Sequence, residues 1–211
     1  MSQVSNNLGD GELYIAMLKN RHKIILFILL LVGIDQSVKL IVAKYFIDYH
    51  FNIIGDFLFF LPKHNTEYSW INSWLNLGIG SLPHILINLI IIIFLYCAFK
   101  YYNSKNKACY SLYWAFILIL SGALCSLIDK IFWGGSLDYI GIKGFFIFDI
   151  KDIYITSSEL LFFAFYIPYV MKNPHLLKFN FKRDILLMRD FFRFIFKDIA
   201  KVGRDSNEKN H

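Results

Sequence analysis

Long apolar runs dominate the chain, and four of them are each long enough to cross a bilayer. The first runs from about residue 24 to Phe46 and is interrupted only by GIDQSVK. The second opens at Pro83, a residue suited to a first helical position, and reaches about Phe99. The third, residues 108–128, carries no charge at all, and the fourth runs from about Ile153 to Val170, ahead of Lys172 and Pro174. Four such spans in 211 residues predict an all-α membrane protein, one compact bundle of four transmembrane helices. Gly122 and Ser126 in the third span form a small-xxx-small step, which lets a neighbouring helix approach closely.

The connections carry patterns of their own. In residues 47–82, FNIIGDFLFFL is β-branched and aromatic around a Gly-Asp break, which predicts short strands. INSWLNLGIG follows as a short amphipathic turn of helix, and Tyr68, Trp70 and Trp74 suit the membrane interface. Together they predict a small β and loop platform on the membrane surface, acting either as a lid or as a plain interfacial anchor. Only a short Gly-rich loop, holding Asp138, joins the third span to the fourth. From Phe179 to Lys201, apolar residues recur at Ile185, Met188, Phe192, Ile195 and Ile199, while Arg189, Arg193, Lys197 and Lys201 step by four. That is the pattern of a C-terminal amphipathic helix lying on an anionic inner leaflet, with a partner-binding helix as the alternative. The final SNEKNH reads as a frayed end.

Composition agrees: 56% of residues are hydrophobic and the mean hydropathy is +0.46. The net charge of +6 is uneven, since from Lys172 onward ten Lys and Arg face five Asp and Glu. Without any nucleic-acid motif, that excess points to anionic lipid and not to nucleic acid. Lys19, Arg21 and Lys23 before the first span, Lys100, Lys105 and Lys107 after the second, and the tail are all basic. Basic flanks belong in the cytoplasm, so both termini are expected inside, and the 47–82 and Asp138 loops on the opposite face. The first apolar run is too long for a cleaved leader and is expected to be retained. The chain divides into an N-terminal cytoplasmic extension (1–23), a four-span membrane domain (24–171) and a basic cytoplasmic tail (172–211). Cys97, Cys109 and Cys125 lack metal or disulfide spacing and read as small packing residues.

The candidate chemistry lies between Ser121 and Asp152, where Asp129, Asp138, Asp149 and Asp152 gather as two spans meet one membrane face. Ionised groups at that depth lose solvation, so acids are kept there where they pair, titrate or react. Singly, each reads as a wet loop acid; their convergence marks a site. Asp35 and Lys39 sit one helical turn apart on one face of the first span. Two readings of that pair stand equally: a structural ion pair with Lys39 snorkelling to the surface, or a functional one facing the bundle interior. His84 and Asn88, at the mouth of the second span, read as hydrogen-bonding helix residues.

At these residues the sequence resembles the lipoprotein signal peptidases (signal peptidase II), four-span aspartic proteases of the bacterial inner membrane. Asp35-Gln36-Ser37-Val38-Lys39 matches the family's D-Q-x-x-K, and Asn65-Thr66 looks like the start of its N-T-G-x-A-F element. Ser121 to Lys130 resembles G-A-x-G-N-x-x-D-R, Gly134 to Tyr139 resembles G-x-V-x-D-[FY], and Phe148 to Asp152 resembles F-N-x-A-D. The blocks fall in family order across residues 24–171. The departures are Cys125-Ser126 for Gly-Asn, Lys130 for Arg, Asp149 for Asn, Lys151 for Ala and Glu67 for Gly.

The resemblance implies a multi-pass protein of the bacterial cytoplasmic (inner) membrane with its active site on the extracytoplasmic side. It implies a metal-free and cofactor-free catalytic pair, Asp138 and Asp152, activating a water between them. Asp35, Lys39, Asn65, Ser126, Asp129, Lys130 and Asp149 would orient loop and substrate. The implied substrate is a prolipoprotein, cut just before its lipid-modified cysteine by a monomeric enzyme. The altered shell keeps a second reading open: a relative that binds lipidated peptides or a membrane partner without cleaving. A small channel or transporter would explain Asp35 and Lys39 but not the ordered blocks.

Overall fold

The structure is a computed structural model that describes residues 21–105, 110–174 and 180–208. Expectations for residues 1–20, for Lys107 and Cys109, and for the last three residues fall outside that set. Among the described residues, four helices are long and apolar enough to cross a membrane. The first, α1 (Arg21–Ile41), ends in a π-helical turn, Val42–Phe46. Helix α3 (Ser81–Lys105) is the second span, and α4 (Tyr110–Ile128) with its own π-helical turn, Asp129–Trp133, is the third. Helix α5 (Ile150–Lys172) is the fourth. The third span outruns its expected end because Asp129 and Lys130 find partners inside the protein, so charge does not end the helix.

Helix α4 is the hub, packing along α1, α3 and α5, with its longest seam against α5. Gly122 explains that seam: a Cβ there would meet Ile155 Cγ1 at 2.6 Å and the Lys151 carbonyl at 3.2 Å. Tyr113 and Ile117 of α4 form a core with Ile28 of α1. Many large apolar side chains point outward instead, among them Leu26 and Leu30 of α1 and Ile90 and Ile93 of α3. An apolar outer surface suits a bilayer, where lipid tails replace water around the bundle.

All other described elements but one gather at one end of the bundle. The expected short strands, β1 (Phe51–Ile54) and β2 (Leu58–Asn65), pair as an antiparallel hairpin, and α2 (Trp70–Leu75) is the expected helical turn. The Gly-rich connection is more ordered than a loop: β3 (Ser136–Ile142) and β4 (Ile147–Phe148) extend the hairpin into an antiparallel sheet of order β1-β2-β3-β4. Gly134 starts it, its left-handed backbone (φ 61°) closing the π-helical turn through an N–H donated to the Asp129 carbonyl. Along β3 the period of two then sorts the side chains. Leu137 and Tyr139 pack behind the strand against Val42, while Ser136 and Asp138 share the other face.

Strand β2 is bulged, its pairing with β3 slipping between Phe60 and Lys63. Pro62 lies in that slip, where a residue with no N–H is tolerated. Beyond it the register resumes with Lys63 opposite Asp138 and Asn65 opposite Ser136. The remaining element is the tail helix α6 (Phe181–Glu208), strongly amphipathic as expected. Part of its aromatic face lies on the second span: Phe191 packs against Phe94 and Tyr101, at ring-centroid distances of 5.9 and 5.4 Å.

Candidate active site

The first turn of α5 brings two acids to the end of β3. Asp149 is its N-cap: the carboxylate accepts from the Asp152 N–H at 3.2 Å, and Asp152 Oδ2 accepts from the Asp149 N–H at 3.2 Å. This reciprocal capping box fixes both side chains at once. Asp138 is held from β2 and β3, accepting from Asn65 Nδ2 at 3.1 Å and from Ser136 Oγ at 2.7 Å. Carboxylate oxygens of Asp138, Asp149 and Asp152 all lie within 4.8 Å of one another. Their exposures differ: the Asp152 side chain is 40% exposed, that of Asp138 8%, and that of Asp149 fully buried.

A buried charge network backs this trio. Lys39 is fully buried and lies 2.8 Å from Asp35, 2.7 Å from Asp129 and 2.8 Å from Asp149. Asp35 and Lys39 form an ion pair that faces the bundle interior, and Lys39 does not snorkel. Gln36 links the same acids, donating to Asp35 at 2.9 Å and to Asp129 at 3.1 Å while accepting from Trp133 Nε1 at 3.0 Å. Asp35 also accepts the Lys151 backbone N–H at 3.1 Å, tying α1 to the start of α5. Burial alone would raise the Asp149 carboxyl, but the ammonium groups of Lys151 and Lys39 outweigh it and hold Asp149 below its ordinary range. Behind the strand, burial and the charge of Asp149 push the Tyr139 phenol above its ordinary value.

Two residues central to this arrangement, Lys151 and Ser136, were not among the orienting residues expected from the sequence. Lys151 Nζ lies 2.6 Å from Ser136 Oγ, 2.5 Å from Asp149, 3.3 Å from Asp129, 3.7 Å from Asp138 and 3.9 Å from Asp152. A lysine side chain thus lies within 4 Å of all three acids. Ser136 bridges the group, its hydroxyl within reach of Asp138 (2.7 Å), Asp149 (3.1 Å) and Asp129 (3.3 Å). One signal was legible: Asp149 and Lys151 depart from the family pattern together, with opposite charges. Ser126 and Lys130, by contrast, pair with each other, Lys130 Nζ donating to Ser126 Oγ at 2.6 Å.

A cleft of about 1240 Å³ opens over Asp138 and Asp152. Its floor is polar; its walls are Ile87, Ile91 and Leu95 of α3, Ile119 and Ala123 of α4, and Ile155 of α5. Glu67, Tyr68, Ser69 and Ser73 line it from the platform, and Phe145 and Phe146 from the β3–β4 turn. The platform is braced: Asn72 bonds the Glu67 and Ile79 backbones, and Ser69 Oγ meets His84 Nε2 at 3.1 Å. The hydrogen-bonding role expected of His84 holds on these contacts, and the platform forms one wall of the cleft. Two acids able to share a water at the end of an apolar cleft can do acid–base chemistry on a substrate with an apolar body.

Comparison with known proteins gives matches that extend across the four spans and the platform. The family model described as signal peptidase (SPase) II matches residues 27–167. A lipoprotein signal peptidase of Borrelia hermsii (strain HS1 / DAH) is 29% identical over 153 residues, covering 67% of this chain and 87% of that protein. One of Borrelia turicatae (strain 91E135) is 30% identical over 162 residues, covering 69% and 92%. A solved bacterial membrane enzyme superposes with a TM-score of 0.57 at 25% identity, covering 72% of this chain and 92% of its own.

Proposed function

The chain belongs to the signal peptidase II family, and from that premise we propose that it is a membrane aspartic endopeptidase removing signal peptides from lipid-modified prolipoproteins. The single observation that carries the reading is the Asp138, Asp149 and Asp152 cluster at the floor of an apolar cleft. Two close carboxylates cannot both ionise cheaply, so Asp138 and Asp152 hold one proton between them. The ionised member takes a proton from the attacking water. The protonated member donates to the scissile carbonyl oxygen; as the C–N bond breaks, the member that took the water's proton gives it to the leaving amine, and the first recovers a proton from a hydroxyl of the collapsing intermediate. Asp152, the more exposed of the two, supplies the water's route. Asn65 and Ser136 aim Asp138, and Asp149 aims Asp152. The buried set of Asp35, Lys39 and Asp129 keeps α1, α4 and α5 in register beneath them. Lys130 and Ser126 line the cleft beside the reacting pair. The cleft's apolar walls suit the lipid chains on the substrate cysteine.

Basic flanks support an orientation with both termini in the cytoplasm, the catalytic pair on the extracytoplasmic side of the bacterial inner membrane, and the basic tail on the anionic inner leaflet. The functional units are the 24–171 peptidase domain, the 1–23 extension and the 172–211 tail, acting as a monomer without metal or cofactor. The test is cleavage of a diacylglyceryl-modified prolipoprotein by the purified full chain. Product ending just before the modified cysteine supports the proposal. A wild type inert on a substrate that other family members cut would overturn it in favour of a binding protein that does not cleave.

A further inference from the structure

Lys151 has no evident place in a reaction run by two aspartates, yet its ammonium group lies within 4 Å of both. It is within 3.7 Å of Asp138 and 3.9 Å of Asp152, and among the described residues its other ion pairs are with Asp149 and Asp129. Resting on the peptidase reading, we propose that Lys151 is a positioning residue of the cleavage reaction, an internal cation that, balanced by Asp149, sets the charge the two reacting aspartates carry.

Charged and titratable groups face Lys151 from every element packed against it. From α1 come Lys39 and Asp35, and from the end of α4 Asp129 and Lys130. From β3 come Asp138 and Tyr139, and from its own helix Asp149 and Asp152. From β2, Lys63, opposite Asp138 in the register, and His64 line the cleft, as does Glu67 after the strand. Five carboxylates thus share one region with two buried lysines, Lys39 and Lys151. Lys39 is committed to Asp35, Asp129 and Asp149, whereas Lys151 makes ion pairs with both members of the reacting pair. With Lys151 neutral, the pair would face an excess of negative charge and hold protons more tightly. With Asp149 neutral, the imbalance would run the other way.

The short contact between Lys151 and Ser136 invites a different reading, a serine nucleophile with a lysine base. The geometry opposes it. Such a base must be a neutral amine, which needs a site free of carboxylates, and Lys151 has four within 4 Å.

The experiment compares pH–rate profiles of the full chain in detergent on a diacylglyceryl-modified prolipoprotein: wild type, Lys151→Met, Asp149→Asn and the double variant. Lys151→Met should move both limbs to higher pH by about one to three units, and Asp149→Asn should move both lower. Asn still caps a helix, so Asp149→Asn should keep the fold. The double variant should return both limbs to within about half a unit of wild type, and Lys151→Arg should leave them in place. Limbs that stay put in Lys151→Met, or that move the same way in both single variants, overturn the proposal. If Lys151→Met does not fold, Asp149→Asn decides the matter by the direction of its shift. An inert wild type would overturn the cleavage reading alone. Proton uptake of the pair, followed by infrared carboxyl bands that vanish in Asp138→Asn, would then make the same comparison and must shift the same way.

Discussion

At the scale of single residues, burial separates the ion pairs that hold the protein together from those that do not. Lys39 touches three carboxylates with no exposure to solvent. Lys143 and Asp56, 3.3 Å apart, are both mostly exposed. Removing one partner of a buried pair leaves uncompensated charge and typically costs about 3–5 kcal/mol, whereas an exposed pair contributes about 0–1 kcal/mol. Lys39→Met should therefore lower the melting temperature in detergent sharply, and Lys143→Met hardly at all. Equal effects would contradict the buried network. That network was only half legible in sequence. The spacing of Asp35 and Lys39 showed that they share a face, but not whether the face was wet. Lys151 stood out in the sequence as a departure beside Asp152, but its distant partners were hidden for a related reason. It sits beside Asp152 in the chain, and neighbours along a helix do not face each other. Its other partners come from outside the helix, Asp138 from β3 and Asp129 from the end of α4.

At the scale of elements, the spans were the most legible part because about twenty apolar residues in a row have few other fates. Their outer ends were the least. Both π-helical turns, Val42–Phe46 and Asp129–Trp133, lie beside charged residues that are satisfied by partners distant in sequence. Strand β3 was equally obscured: SLDYIGI alternates cleanly, but glycines before it and within it made it look like a loop. The tail helix raises a different question, since α6 rests partly on α3 through Phe191 and Phe194 while Arg189, Arg193 and Lys197 remain exposed. Truncation after Pro174 should leave the spans inserted and cleavage largely intact, because no described residue of α6 lines the cleft. A peptide of residues 176–204 should bind anionic vesicles and lose binding as salt is raised. Binding indifferent to both lipid charge and salt would contradict a basic face on the membrane.

At the scale of the whole molecule, the candidate site belongs to no single element: α1, α4, α5 and two strands each contribute a side chain to one small volume. The order of motifs in the sequence was enough to nominate Asp138 and Asp152, since a shared topology brings them together. It could not describe the shell, which this chain has rebuilt around Lys151 and Ser136. The assembly also has a side. Single cysteines placed at Asn65 and at Ser206 should be labelled from opposite faces of the membrane, and labelling from the same face would end the four-span arrangement. Cleavage as proposed requires Asp138 and Asp152 to act as one unit, and the most direct measurement is the cleavage rate of Asp138→Asn, Asp152→Asn and the double variant beside wild type. Each single change keeps size and hydrogen bonding but removes the titrating carboxyl. Each should therefore abolish cleavage with little loss of folded protein, and the double variant should be scarcely worse than either. A wild type that cleaves while both single variants also cleave would contradict the two-aspartate mechanism.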